Sequence, residues 1–193
     1  MNGNNHDRSR LPTNASSRSR GDAEILRQRS QVRLLSLDVD GVLTDGGLYY
    51  ADDGRIQRKY NVKDGVGIQR AMKAGVQVTI ISAGVSGSVP ERAATLGIKH
   101  VFTGVHDKRA VLEDLCQKLG IEMDEAAHIG DDINDVPVLE AVGCPIAVAD
   151  AQPEAFEAAN IITERNGGFG AVREICDALV EAHGMPEEEQ PEE

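Results

Sequence analysis

Apolar runs of strand length alternate with amphipathic segments of helix length along the chain from residue 32 onward. The short runs are rich in Val, Ile and Leu, and the intervening segments repeat apolar residues every three or four positions. Such alternation is typical of βαβ units and therefore predicts an α/β fold with a parallel sheet. The predicted strands are 32–37, 76–82, 100–104, 126–130 and 145–149, and the predicted helices are 66–75, 88–97, 107–120, 134–143 and 171–184.

One segment, LYYADDGRIQRKYNV at 48–62, departs from this alternation. It contains two short stretches on either side of Asp53 and Gly54. An Asp-Gly pair between two such stretches is a strong signal for a tight hairpin turn. We therefore predict a β-hairpin flap that follows the first strand directly.

The two ends of the chain differ in composition from the region between them. Residues 1–30 are rich in Ser, Asn and Arg and nearly lack large apolar residues, whereas 185–193 are mostly Glu and Pro. Such segments bury too little apolar surface to offset the entropy of ordering. An organelle transit peptide would share the first composition, but the amphipathic period is absent. We predict a disordered tail at 1–30, one domain at 31–184 and an acidic disordered tail at 185–193.

Charge and composition narrow the classes of function. The 193 residues carry a formal net charge of −12, which disfavours a nucleic-acid binder because such proteins present basic surface to phosphates. No apolar run approaches the roughly 20 residues that span a bilayer, so we expect no membrane association. Cys116, Cys144 and Cys176 lie in apolar surroundings and form no Cys-X-X-Cys pair. Reduced core thiols, and hence a cytoplasmic location, are expected.

Reactive side chains follow the predicted strands at the edge of the sheet where ligands of open parallel sheets bind. Five acids at one edge repel each other unless a hard cation lies among them, and Mg²⁺ is the natural choice for oxygen ligands. An ammonium and a hydroxyl complete a set that suits a phosphoryl group. The candidate residues are Asp38, Asp40, Ser82, Lys108, Asp131, Asp132 and Asp135.

The spacing of Asp38 and Asp40 allows a division of labour between two carboxylates. One attacks phosphorus to form an aspartyl-phosphate, and the other protonates the leaving oxygen and then activates water. Each feature alone has a simpler explanation, because acid pairs in loops are mostly caps or turns. The prediction therefore depends on their ordered appearance at four successive strand ends.

Four motifs in this order, DVDGVLTDG, IISAG, VHDKRAVL and HIGDDINDVPVL, resemble those of the haloacid dehalogenase superfamily of phosphotransferases. The resemblance implies a Rossmann-like doubly wound parallel sheet with Asp38 as nucleophile and Asp40 as general acid/base. It implies Mg²⁺ bound by the Asp38 side chain, the Asp40 backbone carbonyl and Asp131. It also implies that Ser82 and Lys108 hold the phosphate and that Asp132 and Asp135 support the metal and the lysine.

A closer resemblance is to the family of 3-deoxy-D-manno-octulosonate 8-phosphate (KDO 8-phosphate) phosphatases, through DVDGVLTDGGLYY, YNVKDGVGI, GDDINDVPV and NGGFGAVREICD. The first gap between the motifs holds only the hairpin and the second is too short for a folded cap, so we expect no cap domain. The resemblance implies a homotetramer with active sites between subunits, in which hairpins build a central barrel. The implied substrate is a phosphorylated 3-deoxy-ulosonic acid, whose carboxylate the basic hairpin residues Arg58, Lys59 and Lys63 would bind. The implied substrate-binding residues are Asn61, Lys63, Gly65, Ser82, Ala83 and Gly84.

Two positions depart from that family's pattern. The second motif is usually Thr-Gly-Arg-Lys-like, but SAGVSGSV has no cation after the glycine, and Phe169 replaces an arginine of a Gly-Gly-Arg-Gly stretch. KDO 8-phosphate is therefore the favoured substrate, with another acidic sugar phosphate, such as a nonulosonate 9-phosphate, as the alternative. The departures also fit a catalytically weakened oligomerisation module associated with acidic-sugar cytidylyltransferases. The presence of the complete set of acids and of Lys108 argues against this alternative.

Two further classes share part of the motif set. A response-regulator receiver also uses an aspartyl-phosphate, Mg²⁺, a hydroxyl and a lysine, but its phosphorylated aspartate follows a middle strand, where this chain has Ser82. A glycosyltransferase with an Asp-X-Asp motif would leave Lys108 and GDDIND without a role. Both are less consistent with the sequence than a phosphatase.

Overall fold

A computed structural model describes residues 31–184, so the tails predicted at 1–30 and 185–193 lie outside the described residues. A six-stranded sheet, parallel throughout, forms its centre in the strand order β5-β4-β1-β6-β7-β8. The predicted parallel α/β fold is confirmed. The strands are β1 (Leu34–Leu37), β4 (Gln77–Ile81), β5 (His100–Phe102), β6 (Ala126–Gly130), β7 (Cys144–Ala147) and β8 (Ile161–Ile162).

Helices cover both faces of the sheet, so the central strands are buried on both sides except at Gln77 and consist mostly of apolar residues. One apolar core contains residues of α1, α2 and α6, and a second contains residues of α3 and α4 on the other face. The helices are α1 (Val62–Lys73), α2 (Ser88–Leu96), α3 (Lys108–Leu119), α4 (Val136–Leu139), α5 (Pro153–Ala158) and α6 (Ala171–His183).

Several elements differ from the sequence prediction. Helix α1 begins four residues earlier than predicted, because Asn61 caps it by accepting a hydrogen bond from the Lys63 amide. The helix predicted at 134–143 is reduced to α4, preceded by a 3-10 turn at Ile133–Asp135. Helix α5 and the edge strand β8 were not predicted, since elements of six and two residues carry little periodic signal.

The predicted hairpin flap is present after β1. Its strands, β2 (Tyr49–Tyr50) and β3 (Ile56–Gln57), pair antiparallel, and a bridge between Thr44 and Tyr60 closes its base. Within residues 31–184, the segment between β1 and α1 contains this hairpin and no folded cap, and β4 is followed by α2 and β5 of the main layers. The edge of the sheet above β1 is therefore not covered by a cap domain of the described chain.

Other predictions concern the core and the membrane. Cys116, Cys144 and Cys176 are buried thiols, as expected. Among the residues that the structure describes, no helix has the length and apolar character needed to cross a bilayer.

Candidate active site

The predicted site residues gather at the carboxyl ends of four neighbouring strands. Asp38 follows β1, Ser82 follows β4 and Asp131 follows β6, while Lys108 opens α3 after β5. Lys108 is fixed there because Asp107 caps α3, its carboxylate accepting a hydrogen bond from the Ala110 amide at 3.0 Å. Motifs that are far apart in sequence therefore meet because the strand order places β5, β4, β1 and β6 side by side.

Lys108 joins two buried carboxylates. Its Nζ lies 2.9 Å from Asp38 Oδ1 and 2.5 Å from Asp135 Oδ1, and its side chain is 1% exposed. Burial acts to lower the pKa of Lys108, but the charges of Asp38 and Asp135 outweigh it and raise that pKa. Burial, followed by the charge of Asp135, raises the pKa of Asp38, and Lys108 partly offsets this. The lysine is thus a fixed cation beside Asp38.

A buried histidine, which the sequence analysis did not select, holds the far side of Asp135. His128 Nε2 lies 3.0 Å from Asp135 Oδ1, and its Nδ1 lies 3.0 Å from the Ser36 hydroxyl. Burial opposes ionisation of Asp135, but the contacts with His128 and Lys108 hold its pKa well below the usual range. The one available signal was a polar residue in the middle of the apolar strand AAHIG.

Three carboxylates lie close enough to share a cation: one oxygen each from Asp38, Asp131 and Asp135 falls within 4.8 Å of the others. Both oxygens of Asp135 already have partners, since Oδ2 accepts from the Asp131 amide at 3.1 Å and Oδ1 faces Lys108 and His128. Asp38 and Asp131 therefore remain as the candidate metal ligands of this group. Burial, then the charges of Asp38 and Asp135, raises the pKa of Asp131 to about 8. This oxygen-only, mutually repelling set fits a hard divalent cation such as Mg²⁺.

The loop after β1 approaches Asp131 so closely that it requires glycine. Gly41 has a φ of +88°, and a Cβ at this position would lie 2.0 Å from Asp131 Oδ2. The chain turns there away from the sheet and toward the hairpin, as the left-handed conformation allows. Asp132 is more peripheral: its carboxylate caps the following 3-10 turn by accepting from the Ile133 amide at 2.6 Å.

A cavity of about 260 Å³ opens above these residues. Ser82 is buried and its Oγ accepts a hydrogen bond from the Gly84 amide at 3.2 Å, which leaves the hydroxyl proton available to donate. The cavity is thus lined by a carboxylate nucleophile candidate, a hydroxyl and several further acids. Its lining residues are Asp38, Asp40, Gly41, Gly46, Ser82, Ala83, Gly84, Asp131, Asp132 and Asn134.

The side chain of Asp40 is paired with an arginine of the hairpin. Arg58 donates from Nε to Asp40 Oδ1 at 2.6 Å and from Nη2 to Oδ2 at 3.0 Å. The neighbouring Lys59 points elsewhere, with its Nζ 2.5 Å from Asp45 Oδ2 and 4.6 Å from the centre of the Phe169 ring. Both cations were predicted to bind the carboxylate of the substrate, whereas in the structure each pairs with an aspartate of its own chain.

The remaining predicted substrate residues lie at the start of α1, and none of them is among the residues that line the cavity. The Asn61 side chain donates to the Gly168 carbonyl at 3.1 Å, and Lys63 is exposed. Gly65 is buried where a Cβ would lie 2.4 Å from Arg92 Nη2. Within one chain, Asn61 and Gly65 thus have structural reasons for their identity, and a role in binding substrate stays a prediction for all three.

Known proteins are similar to this chain in sequence and in fold. A sequence model of the haloacid dehalogenase-like hydrolases matches residues 94–175. The 3-deoxy-D-manno-octulosonate 8-phosphate phosphatase KdsC of Escherichia coli is 43% identical over 166 residues, which are 86% of this chain and 88% of that protein. A probable YrbI family phosphatase from Pseudomonas syringae has a TM-score of 0.81 and 42% identity, over 83% of this chain and 92% of that one.

A further solved structure is the KDO 8-phosphate phosphatase of Moraxella catarrhalis, in complex with magnesium ion, phosphate ion and KDO. It superposes with a TM-score of 0.80 at 36% identity and covers 82% of this chain and 92% of that one. Identity at this level over most of both chains, together with the parallel sheet, decides the family. The chain belongs to the haloacid dehalogenase-like hydrolases and, within them, to the KDO 8-phosphate phosphatase family of phosphoric monoester hydrolases.

Proposed function

We propose that the protein is a Mg²⁺-dependent phosphatase that hydrolyses KDO 8-phosphate to KDO and phosphate, and that Asp38 forms an aspartyl-phosphate. The observation that carries the proposal is the placement of Asp38. Its side chain is 6% exposed, its carboxylate lies 2.9 Å from the Lys108 ammonium, and the residue lines a cavity of about 260 Å³ at the carboxyl edge of the sheet. A buried carboxylate beside a fixed cation and an open cavity suits attack on a bound phosphoryl group.

The reaction proceeds in two displacements at phosphorus. An oxygen of Asp38 forms a bond to phosphorus while the bond to the sugar oxygen breaks, and Asp40 gives a proton to that oxygen. Asp40 then accepts a proton from a water molecule that attacks the aspartyl-phosphate, and the bond between Asp38 and phosphorus breaks. Lys108 and the Ser82 hydroxyl hold the phosphoryl oxygens throughout, and Asp135 keeps Lys108 in place.

Mg²⁺ belongs to this proposal through the donor set. The side chains of Asp38 and Asp131 and the backbone carbonyl of Asp40 would hold the ion, with Asp132 at the edge of the site. When bound, the ion neutralises the charge that these carboxylates and the phosphoryl group bring together. The Gly41 turn passes close to the Asp131 carboxylate, and the Asp131 amide donates to Asp135 Oδ2 at 3.1 Å.

The substrate assignment is supported by the relatives. The Escherichia coli and Moraxella catarrhalis proteins are KDO 8-phosphate phosphatases by name, and each aligns with more than four fifths of this chain. KDO 8-phosphate also provides the acidic sugar that the sequence predicts. The reaction would place the protein in KDO and lipopolysaccharide biosynthesis in the cytoplasm, with no nucleic-acid partner.

A homotetramer with active sites between subunits is part of the proposal. The hairpin exposes Tyr49 and Tyr50 to 57% and 70%, together with Leu48 and Ile56, which is an unusual apolar surface for a short flap. Packing hairpins from several copies against one another would bury these side chains. A separate segment, Gly167–Gly170, contacts the loop that follows β1 in its own chain, where the Gly168 amide donates to the Val42 carbonyl at 2.9 Å.

The experiment measures phosphate release by the purified protein with Mg²⁺ from KDO 8-phosphate, a nonulosonate 9-phosphate and a neutral sugar phosphate. We expect KDO 8-phosphate to be preferred and Asp38→Asn to lose activity by several orders of magnitude, because the nucleophile is removed. Equal background release by both proteins would reject catalysis and favour an oligomerisation module. Preference for the nine-carbon substrate or the neutral one would overturn only the substrate assignment.

A further inference from the structure

Arg58 reaches from the hairpin into the active site. Its side chain is 5% exposed, and its guanidinium forms a fork of two hydrogen bonds with both oxygens of Asp40, 18 residues earlier in the chain. A bidentate pair of this kind fixes the plane of the carboxylate, which a single hydrogen bond does not. The orientation of Asp40 is therefore set by the hairpin rather than by its own loop.

The second arm of the hairpin, residues 56–60, runs back toward the sheet, and its path explains why Arg58 points inward. Side chains of an extended segment alternate between its two faces, so Arg58 lies inside and Lys59 outside, at 5% and 49% exposure. The bridge between Thr44 and Tyr60 anchors the arm two residues further along. The hairpin base thus holds the arginine against the site.

The cost of this placement argues against a purely structural role for Arg58. Its Nη1 is buried and has no hydrogen-bond partner in the described part of the chain. Burying an unpaired donor of a charged group is unfavourable, and an apolar side chain would fill the same space without that penalty. The buried Nη1 donor is therefore an unfavourable contribution that a role in packing alone would not need.

The pair of Arg58 and Asp40 also lies against the loop after β4, which contains the second motif. A Cβ at Gly84 would be 3.0 Å from Asp40 Oδ2 and 3.3 Å from Arg58 Nη2, with the Ser82 hydroxyl at 3.6 Å. Asp40 Oδ1 is the more tightly held oxygen, at 2.6 Å from Nε, whereas Oδ2 faces the loop of Ser82 and Gly84. Each carboxylate oxygen keeps a lone pair beyond the one that Arg58 uses.

We propose that Arg58 is a positioning residue that holds Asp40 so that Oδ2 faces the oxygen of the leaving sugar. The inference rests on the proposed function, in which Asp40 is the general acid/base. Arg58 anchors Oδ1, and Oδ2 carries the proton that passes to the ester oxygen as the bond between phosphorus and that oxygen breaks. Arg58 acts only through Asp40 and makes no bond to the substrate.

The test uses two substrates whose leaving groups differ in their need for a proton. KDO 8-phosphate releases an alkoxide-like oxygen and depends on general acid catalysis, whereas p-nitrophenyl phosphate releases a stable phenolate. The ratio kcat/KM reports the steps up to departure of this group. We expect Arg58→Gln to lower kcat/KM by about 100-fold for KDO 8-phosphate and less than about threefold for p-nitrophenyl phosphate. Arg58→Lys should lie between Arg58→Gln and the wild type on KDO 8-phosphate.

The matched control is Arg55→Gln, which removes an exposed arginine of the same hairpin. Arg55 is 78% exposed and pairs with Asp53 at 2.7 Å, outside the cavity lining. We expect this variant to match the wild type on both substrates. Melting temperatures show whether Arg58→Gln remains folded; if it does not, the same substrate comparison with Arg58→Lys decides.

Three outcomes would overturn the proposal. An equal loss on both substrates would mean that Arg58 binds the phosphoryl group directly. A rise of KM confined to KDO 8-phosphate, without loss on a neutral sugar phosphate, would mean that Arg58 binds the carboxylate. A further large loss when Arg58→Gln is added to Asp40→Asn would mean that it does not act through Asp40. Failure of the proposed function is distinct, because the wild type would then release no phosphate, or Asp38→Asn would remain active.

Discussion

Substitution of Gly41 tests whether the close approach of the first and fourth motifs builds the metal site. In Gly41→Ala, the new Cβ would lie 2.0 Å from Asp131 Oδ2, so the carboxylate must move by about 1.4 Å to reach ordinary contact near 3.4 Å. The end of a side chain moves at little cost to stability, but the carboxylate then leaves the position from which it would bind the proposed Mg²⁺. Misplacement by about 1 Å in a catalytic site costs on the order of 100-fold in rate.

The backbone supplies a second effect that must be separated from the first. Gly41 has a φ of +88°, and an alanine in this region costs about 1–2 kcal/mol. Gly75 has a φ of +94°, and a Cβ added there would have no atom within 4 Å, so Gly75→Ala carries the same backbone strain without a clash. Both variants should lose about 2–4 °C of melting temperature per kcal/mol, as expected for a domain of this size.

The assay measures phosphate release from KDO 8-phosphate over a Mg²⁺ titration, beside thermal melting. We expect Gly41→Ala to lose about 100-fold in kcat and to need more Mg²⁺, and Gly75→Ala to keep wild-type activity. If Gly41→Ala were as active as Gly75→Ala at equal Mg²⁺, the contact with Asp131 would not position the carboxylate, and the reasoning would be refuted.

The remaining predictions concern the buried charges. His128→Phe removes the contacts with Ser36 and Asp135, so the free energy of unfolding, measured by chemical denaturation, should fall by about 2–3 kcal/mol. Ser36→Ala should lower it by about 1 kcal/mol, and equal losses in the two variants would contradict a role for the Asp135 contact. The pKa of Asp131 is raised to about 8 in the folded protein, so its carboxyl stays protonated at pH values where the unfolded chain has already lost that proton. The stability of the metal-free protein should therefore fall as the pH rises from about 4 to 8. Below about pH 8, Mg²⁺ must displace this proton in order to bind. The apparent affinity for Mg²⁺, measured from melting-temperature shifts, should therefore fall about tenfold for each unit by which the pH is lowered. An affinity that does not change with pH would contradict this prediction.

Local sequence was sufficient where short-range chemistry decides the structure. The helix predicted at 107–120 is α3, and Asp107 and Gly120, at the two ends of the predicted range, cap it in the structure. The predicted start of α1 was wrong by four residues, at residue 66 instead of Val62. Within this helix, Gly67 lies where a Cβ would be 2.8 Å from the Arg173 side chain of α6. Because α1 packs closely on α6, the space available there favours glycine although glycine has a low intrinsic helix propensity.

The order of residues along the chain was enough to select the reactive groups of the candidate site, because parallel strands bring residues at their carboxyl ends to one edge whatever the loops between them do. Asp38, Ser82, Lys108 and Asp131 could be selected on this ground. The pairing of the charges became visible in the folded chain alone: Arg58 pairs with Asp40 across 18 residues, and His128 pairs with Asp135 inside the core. Such pairs depend on the path of the hairpin and on side-chain distances of about 3 Å, which no periodic pattern of apolar residues encodes.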